Sequence, residues 1–183
     1  MAVILIVEDG IGVPDANTYN SLEMADEYHR QSGNDAWFDG TDSPSDDKRA
    51  SALIRAAIIL DGTYKSRWPG RRTHGRNQGL DWPRTGAADV DGNEIADDEI
   101  PREILQAQNE MALREYTNPG SLNPDVIETS RVLREKVGDL EVQYADVTKI
   151  GGSIPQLTFV DNILAGLLSP GSTSTSTSFF LRA

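Results

Sequence analysis

The stretch "SPSDDKRASALIRAAIILDGTYK" (43–65) carries the strongest helical signal in the chain. Ser43 suits an N-cap, Pro44 the first helical position, and Asp46 the acidic place of a capping box, with a shorter acid than the usual Glu. Ala50, Leu53, Ile54, Ala57, Ile58 and Tyr64 recur at threes and fours, which puts them on one face of a 3.6-residue helix. Such a helix has to bury its apolar face against a partner, so this element predicts a helical core. It is expected to end near 62–65.

Partners for that face are legible on both sides. Upstream, Ser21 can cap "LEMADEYHRQ" (22–31), with Gly33 closing the helix. Between the two helices lies a polar loop with one aromatic pair, Trp37 and Phe38. Downstream, Pro101 opens "PREILQAQNEMALREYT" (101–117), and Asp97, Asp98 and Glu99 lie at its positive end. Ile104, Leu105, Met111, Ala112 and Tyr116 form its apolar side. "QLTFVDNILAGLLS" (156–169) reads as a last helix with Val160, Ile163, Leu164, Leu167 and Leu168 on one stripe. Strand signals are few. Ala2 to Val7 is an apolar run that reads as a first strand, and "EDGIGVPDANTYNS" (8–21) after it is loop chemistry. "SRVLREKVGDLEVQYAD" (130–146) reads as a β-hairpin turning at Gly138-Asp139, with Leu140, Val142 and Tyr144 alternating with polar residues. The expected fold is mainly α: a small helical bundle with a β-hairpin, long structured loops and an extended C-terminal tail. Residues 1–169 form one domain and 170–183 a flexible tail.

Composition narrows the chemistry. At 183 residues the chain is long enough for one well-packed core and short for two. There is no cysteine, which excludes disulfides, thiolate zinc sites and cysteine nucleophiles. No apolar run approaches membrane-spanning length, and "AVILIV" is too short for a signal peptide core. His29 and His74 are the only histidines and neither sits in a catalytic or zinc-binding pattern. "DVDGNEIADDE" (89–99) resembles a calcium loop in composition, but Gly92 stands fourth from Asp89 where the EF-hand requires sixth. An acidic turn leading into a helix explains the same residues. No glycine-rich phosphate loop is present. Catalytic residues, metal ligands and cofactors are therefore not expected, and the chain reads as a non-enzyme.

Two stretches stand out from an acidic background of net charge -12. In "KSRWPGRRTHGRNQGLDWPRTG" (65–86), Lys65, Arg67, Arg71, Arg72, Arg76 and Arg84 face one acid, Asp81. Glycine and proline are frequent and no period is visible, which predicts a long structured loop without regular elements. The arginines with Trp68 and Trp82 suit either a nucleic-acid backbone with stacked bases or the acidic surface of a neighbouring copy. The overall charge favours the neighbouring copy. At the C-terminus, "GSTSTSTSFFLRA" (171–183) is a polar tether ending in two aromatics, as in segments that capture a partner.

The chain also resembles a tailed-phage family of head-tail connector (adaptor) proteins, whose members are usually described as DnaT-like single-stranded-DNA-binding proteins. The resemblance rests on "VEDGIGVPDANTYNSLEMADEYHRQSGNDAW", "ALIRA", "GRR", "LDWPRTG", "GNEI", "IP" and "KVGDLEVQYAD", running from Val7 to Leu168. It implies a structural protein of the virion neck, made in the host cytoplasm and assembled as a homo-oligomeric ring of about a dozen copies. The ring would sit beneath the portal, with a tail or neck protein on its other face, and DNA would pass through it only as cargo. In that reading Phe179, Phe180, Leu181 and Arg182 bind the portal. Arg67, Arg71, Arg72, Arg76, Trp82, Arg84, Leu140, Val142 and Tyr144 lie between subunits. The rival expectation is a single-stranded-DNA-binding accessory protein of phage replication, using Arg67, Arg71, Arg72, Arg76 and the tryptophans Trp68 and Trp82. No membrane partner is implied by either.

Overall fold

The structure is a computed structural model and describes residues 2–38, 43–123, 134–137, 140–143 and 157–169; the side chains of 43–45 and of the two strands within 134–143 are not described. Among the described residues, four α-helices follow in chain order: α1 (Leu22–Ser32), α2 (Ser43–Tyr64), α3 (Arg102–Thr117) and α4 (Thr158–Leu164). Three antiparallel two-stranded ribbons accompany them among the described residues: β1 (Arg71–Arg72) with β2 (Arg84–Thr85), β3 (Ala87–Ala88) with β4 (Glu94–Ile95), and β5 (Arg134–Val137) with β6 (Leu140–Gln143). The protein is mainly α with small hairpins, as the periodicity predicts.

The core lies between α2 and α3, the most extensively paired elements. Leu53, Ala57, Leu60 and Tyr64 of α2 are spaced four, three and four apart and are buried, with Ala52 and Ala56 beside them. Ile104, Ala107, Met111 and Ala112 of α3 meet them, and Val160 and Leu164 of α4 join the same cluster. Alanines dominate the α2 side, so the helix axes can approach closely. One expected core residue is corrected: Ile58 is 62% exposed. It falls on the far side of the stripe through Leu53, Leu60 and Tyr64, which only the choice of partner helix selects.

Helix ends follow their chemistry. Ser21 accepts a hydrogen bond from the Met24 N–H, and Gly33 takes a left-handed φ of 70° at the end of α1. The aromatic loop of 35–38 winds as a 3-10 turn that drives Trp37 fully into the core. There its Nε1 donates to Asp26 at 2.7 Å, and Arg49 donates to the same carboxylate oxygen at 2.8 Å.

Three expectations change. Ala2 to Val7 forms no strand: among the described residues it makes one parallel bridge, Val7 to Thr18, and the Asn17 side chain accepts from Ile6 N where a second strand would. The last helix stops at Leu164: the Gly166 carbonyl accepts from Val90 N and Ser169 N donates to the Arg67 carbonyl, so the chain ties to loops, with Leu167 and Leu168 still buried. The acidic turn after Thr85 contains an unforeseen ribbon, with Asp89 accepting from Asp91 N and Asn93 N across its bend. In the β5–β6 hairpin, Val137 pairs with Leu140, which leaves two residues, Gly138 and Asp139, between the strands as expected. Tyr144 and the tail 170–183 lie outside the described residues.

A polar hub holds the helices in register. Gln108 of α3 is fully buried; its Oε1 accepts from Tyr19 N, Asn20 N and Asn20 Nδ2, and its Nε2 donates to Thr18 Oγ1 at 2.7 Å and to the Leu53 carbonyl at 2.9 Å. Removing the amide leaves several donors and acceptors buried without partners, each costing about 1–3 kcal/mol. Gln108→Leu is therefore expected to lower stability by at least about 3 kcal/mol in urea denaturation. The exposed Ile58→Ala should change it by less than about 0.5 kcal/mol.

Candidate nucleic-acid interface

The basic loop 65–86 is built around its own motif. Arg84 is turned inward: its Nε donates to the Pro69 carbonyl at 2.6 Å, and its other nitrogens donate to the carbonyls of Gly70 and Asp81. Burial moves its pKa down, yet it remains the cation that ties the loop's start to its end. Gln78 donates to the Leu80 and Pro83 carbonyls, with its Oε1 accepting from His74 N. The Trp82–Pro83 peptide is cis. Trp82 is fully buried and meets Trp68 edge-to-face at 6.0 Å, and Tyr64 meets Trp68 in a tilted contact at 5.7 Å. The β1–β2 pairing sets Arg71 opposite Thr85 and Arg72 opposite Arg84. Because side chains alternate along a strand, Arg72 turns in to Asp81 while Arg71 stays exposed.

Beneath the loop lies a cluster of titratable groups. The Tyr19 hydroxyl donates to Asp61 Oδ1 at 2.7 Å and accepts from the backbone N–H groups of Asp81 and Trp82. Asp61 Oδ2 accepts from Asp81 N at 2.9 Å. Asp81 Oδ1 takes Arg72, with Lys65 4.0 Å away, and Asp81 Oδ2 is buried with no hydrogen-bond partner among the described residues. Burial raises the Asp61 carboxyl to about 7, helped by the neighbouring Asp81 charge, and burial raises the Tyr19 hydroxyl well above its ordinary value. On the far side of the core, burial against Tyr28 and Trp37 lowers His29 to about 4.

The segment before α1 clamps the loop from outside. A Cβ on Gly12 would lie 2.1 Å from the His74 ring, and Gly12 has φ of 75°, so only glycine lets the strap lie on that imidazole. Glu8 Oε1 accepts from Gly10 N and Gly12 N, which shapes the strap. Thr73 and Thr85 donate to the carbonyl and the carboxylate of Asp97, which places one acid at the loop's edge. Gln78 was not singled out from sequence, and Gly12 and Asp97 were read only as a loop breaker and a helix-end acid. Only the tertiary approach of three distant segments makes them matter.

Of the residues expected at this site, Lys65, Arg71 and Arg76 are exposed, and Arg67 and Arg72 are half-buried. Arg67, Arg71 and Arg76 form no ion pair among the described residues, although the Arg67 guanidinium lies over the Tyr64 ring at 5.9 Å. Trp82 and Arg84 are corrected: both are buried within their own subunit and offer no contact surface. Trp68, 5% exposed, is likewise unavailable for stacking on bases. Leu140 and Val142 fall on β6, where only the backbone is described. Tyr144, Phe179, Phe180, Leu181 and Arg182 lie outside the described residues.

The fold and loop thus define a small, mainly α protein presenting arginines from an internally braced loop. A family model described as "Putative DnaT-like ssDNA binding protein" matches residues 3–183, and the chain belongs to that family. No curated protein and no solved structure matches the chain significantly. The family's description overturns the expectation of a structural head-tail adaptor, with its ring beneath a portal in the virion neck, because it names single-stranded-DNA binding as the shared property.

The cluster makes a pH prediction. A carboxyl raised from 3.8 to about 7 binds its proton more tightly in the folded protein, so its stabilising contribution is greatest below about pH 4 and is lost as pH rises to about 7. His29, lowered from 6.5 to about 4, contributes in the opposite sense: its stabilisation is present above about pH 6.5 and is lost as pH falls towards 4. The two offset one another in the intact protein. Asp61→Asn should remove the carboxyl's contribution, so that the stability of the variant minus that of the parent rises by about 1 kcal/mol per pH unit between pH 4 and 7. Chemical denaturation across that range measures it.

Proposed function

We propose that the chain is a non-enzymatic, single-stranded-DNA-binding accessory protein, and that the exposed cations of the 65–86 loop are its DNA contact. The observation that carries this reading is the state of Arg71 and Arg76. They are exposed, they lack an ion-pair partner among the described residues, and they stand on a loop whose backbone is held by Arg84, Gln78 and Asp81. A braced backbone spares the loop the entropic cost of ordering when these cations meet a phosphate. Family membership supports the same ligand.

The net charge of -12 shapes how such binding behaves. Most of the surface repels a polyanion, so DNA approaches through the one cationic stretch and at modest affinity. Each phosphate neutralised on a single strand contributes about -0.7 to the slope of log K against log salt. With Lys65, Arg71 and Arg76 engaged, the slope is expected near about -2.

Fluorescence anisotropy with a labelled oligonucleotide at low salt tests the reading. Arg71→Glu with Arg76→Glu should weaken binding by about tenfold or more and flatten the salt dependence. Unchanged affinity in that double variant, with its thermal melt intact, would remove the loop from the DNA contact.

A further inference from the structure

We infer that the basic loop recognises the phosphodiester backbone and not the bases, so that this contact does not distinguish single-stranded from duplex DNA. The inference rests on the proposed DNA contact and specifies its ligand chemistry.

Proteins that hold single strands usually combine a cationic groove with exposed aromatic faces on which bases stack. In the 65–86 loop the cations and the aromatics have been separated. The aromatics of the loop are Trp68 and Trp82, and both are withdrawn, at 5% and 0% exposure. Their rings are spent on each other and on Tyr64, in an edge-to-face and a tilted contact. They cannot swing outward while the loop keeps its form. Trp82 N donates to the Tyr19 hydroxyl, its neighbour Asp81 holds Arg72, and Arg84 spans from the Asp81 carbonyl to those of Pro69 and Gly70. Exposing either indole means dismantling that network.

What reaches solvent is Lys65, Arg71 and Arg76, with the His74 ring beside the Gly12 strap. Guanidinium and ammonium groups take phosphate oxygens by charge and by hydrogen bonds, and neither needs a base to be unpaired. A duplex presents the same phosphates at higher linear charge density. Phosphate contacts position a nucleic acid without reading it. The tryptophans of this loop therefore supply no selectivity for single strands.

The test uses the full-length protein and three labelled probes of equal length: an oligothymidine, the same length of abasic phosphodiester strand, and a duplex. Competition at low salt is expected to give affinities for the thymidine and abasic strands within about threefold of each other. The duplex should bind at least as tightly, all three should weaken together in the Arg71→Glu, Arg76→Glu variant, and Trp emission should be unquenched by any of them. If oligothymidine binds about tenfold or more tightly than the abasic strand or the duplex, bases are being stacked and the inference is wrong, while the DNA-binding proposal stands. Binding of none of the three probes would sink both. Arg71→Lys gives a second check, since a phosphate contact should keep most of its affinity with either cation.

Discussion

The side-chain amide of Gln108 is the interaction on which the architecture depends. It has no exposure and uses its hydrogen-bonding capacity on two segments far from it in sequence, residues 18–20 and Leu53 of α2. The apolar packing of two alanine-rich helix faces permits many small slides and rotations. The amide admits one, because any other strands several polar groups in an apolar interior. Its grip on the backbone of Tyr19 then passes outward, since the hydroxyl of that tyrosine is the anchor for Asp61 and for the Asp81–Trp82 turn. A line of contacts runs from the centre of the core to Arg72 at the surface loop.

That line explains why a stretch rich in glycine, proline and like charges is ordered. Six cations within 65–86 would repel one another if free. Two are neutralised or restrained from within: Arg72 faces Asp81, and Arg84 is consumed by backbone carbonyls, while Lys65 stays exposed 4.0 Å from Asp81. The remaining cations are left outside with no acid of the loop to satisfy them. The same arrangement supplies the surface proposed for DNA and withdraws the tryptophans from it. Bracing and binding thus compete for the same short motif, and bracing takes its aromatic residues.

Much of the helical framework was legible. Ser21, Gly33 and Pro101 act locally, and local rules find them. The β5–β6 turn was also visible, because two residues between alternating strands leave one register. The ribbons at 71–72, 84–85, 87–88 and 94–95 were not, because two-residue strands carry no period. The site was half legible. Charge reversal located the loop, but nothing in the spacing of Trp68, Trp82 and Arg84 distinguishes an outward from an inward side chain. The functional reading favoured from charge, tail and resemblance, a portal-bound ring, gives way to the DNA-binding description of the family.

Sequence alone determined the helical class, the places where helices begin, the absence of thiol chemistry and the position of the cationic stretch in an acidic chain. These depend on neighbours within a few residues or on simple counts. Tertiary structure decided which arginines remain free, which tryptophans are core, that Gly12 must accommodate His74, and that burial raises the Asp61 carboxyl to about 7. Each of those depends on groups dozens of residues apart being brought together. Burial and hydrogen bonding then assign a role that no residue type carries by itself.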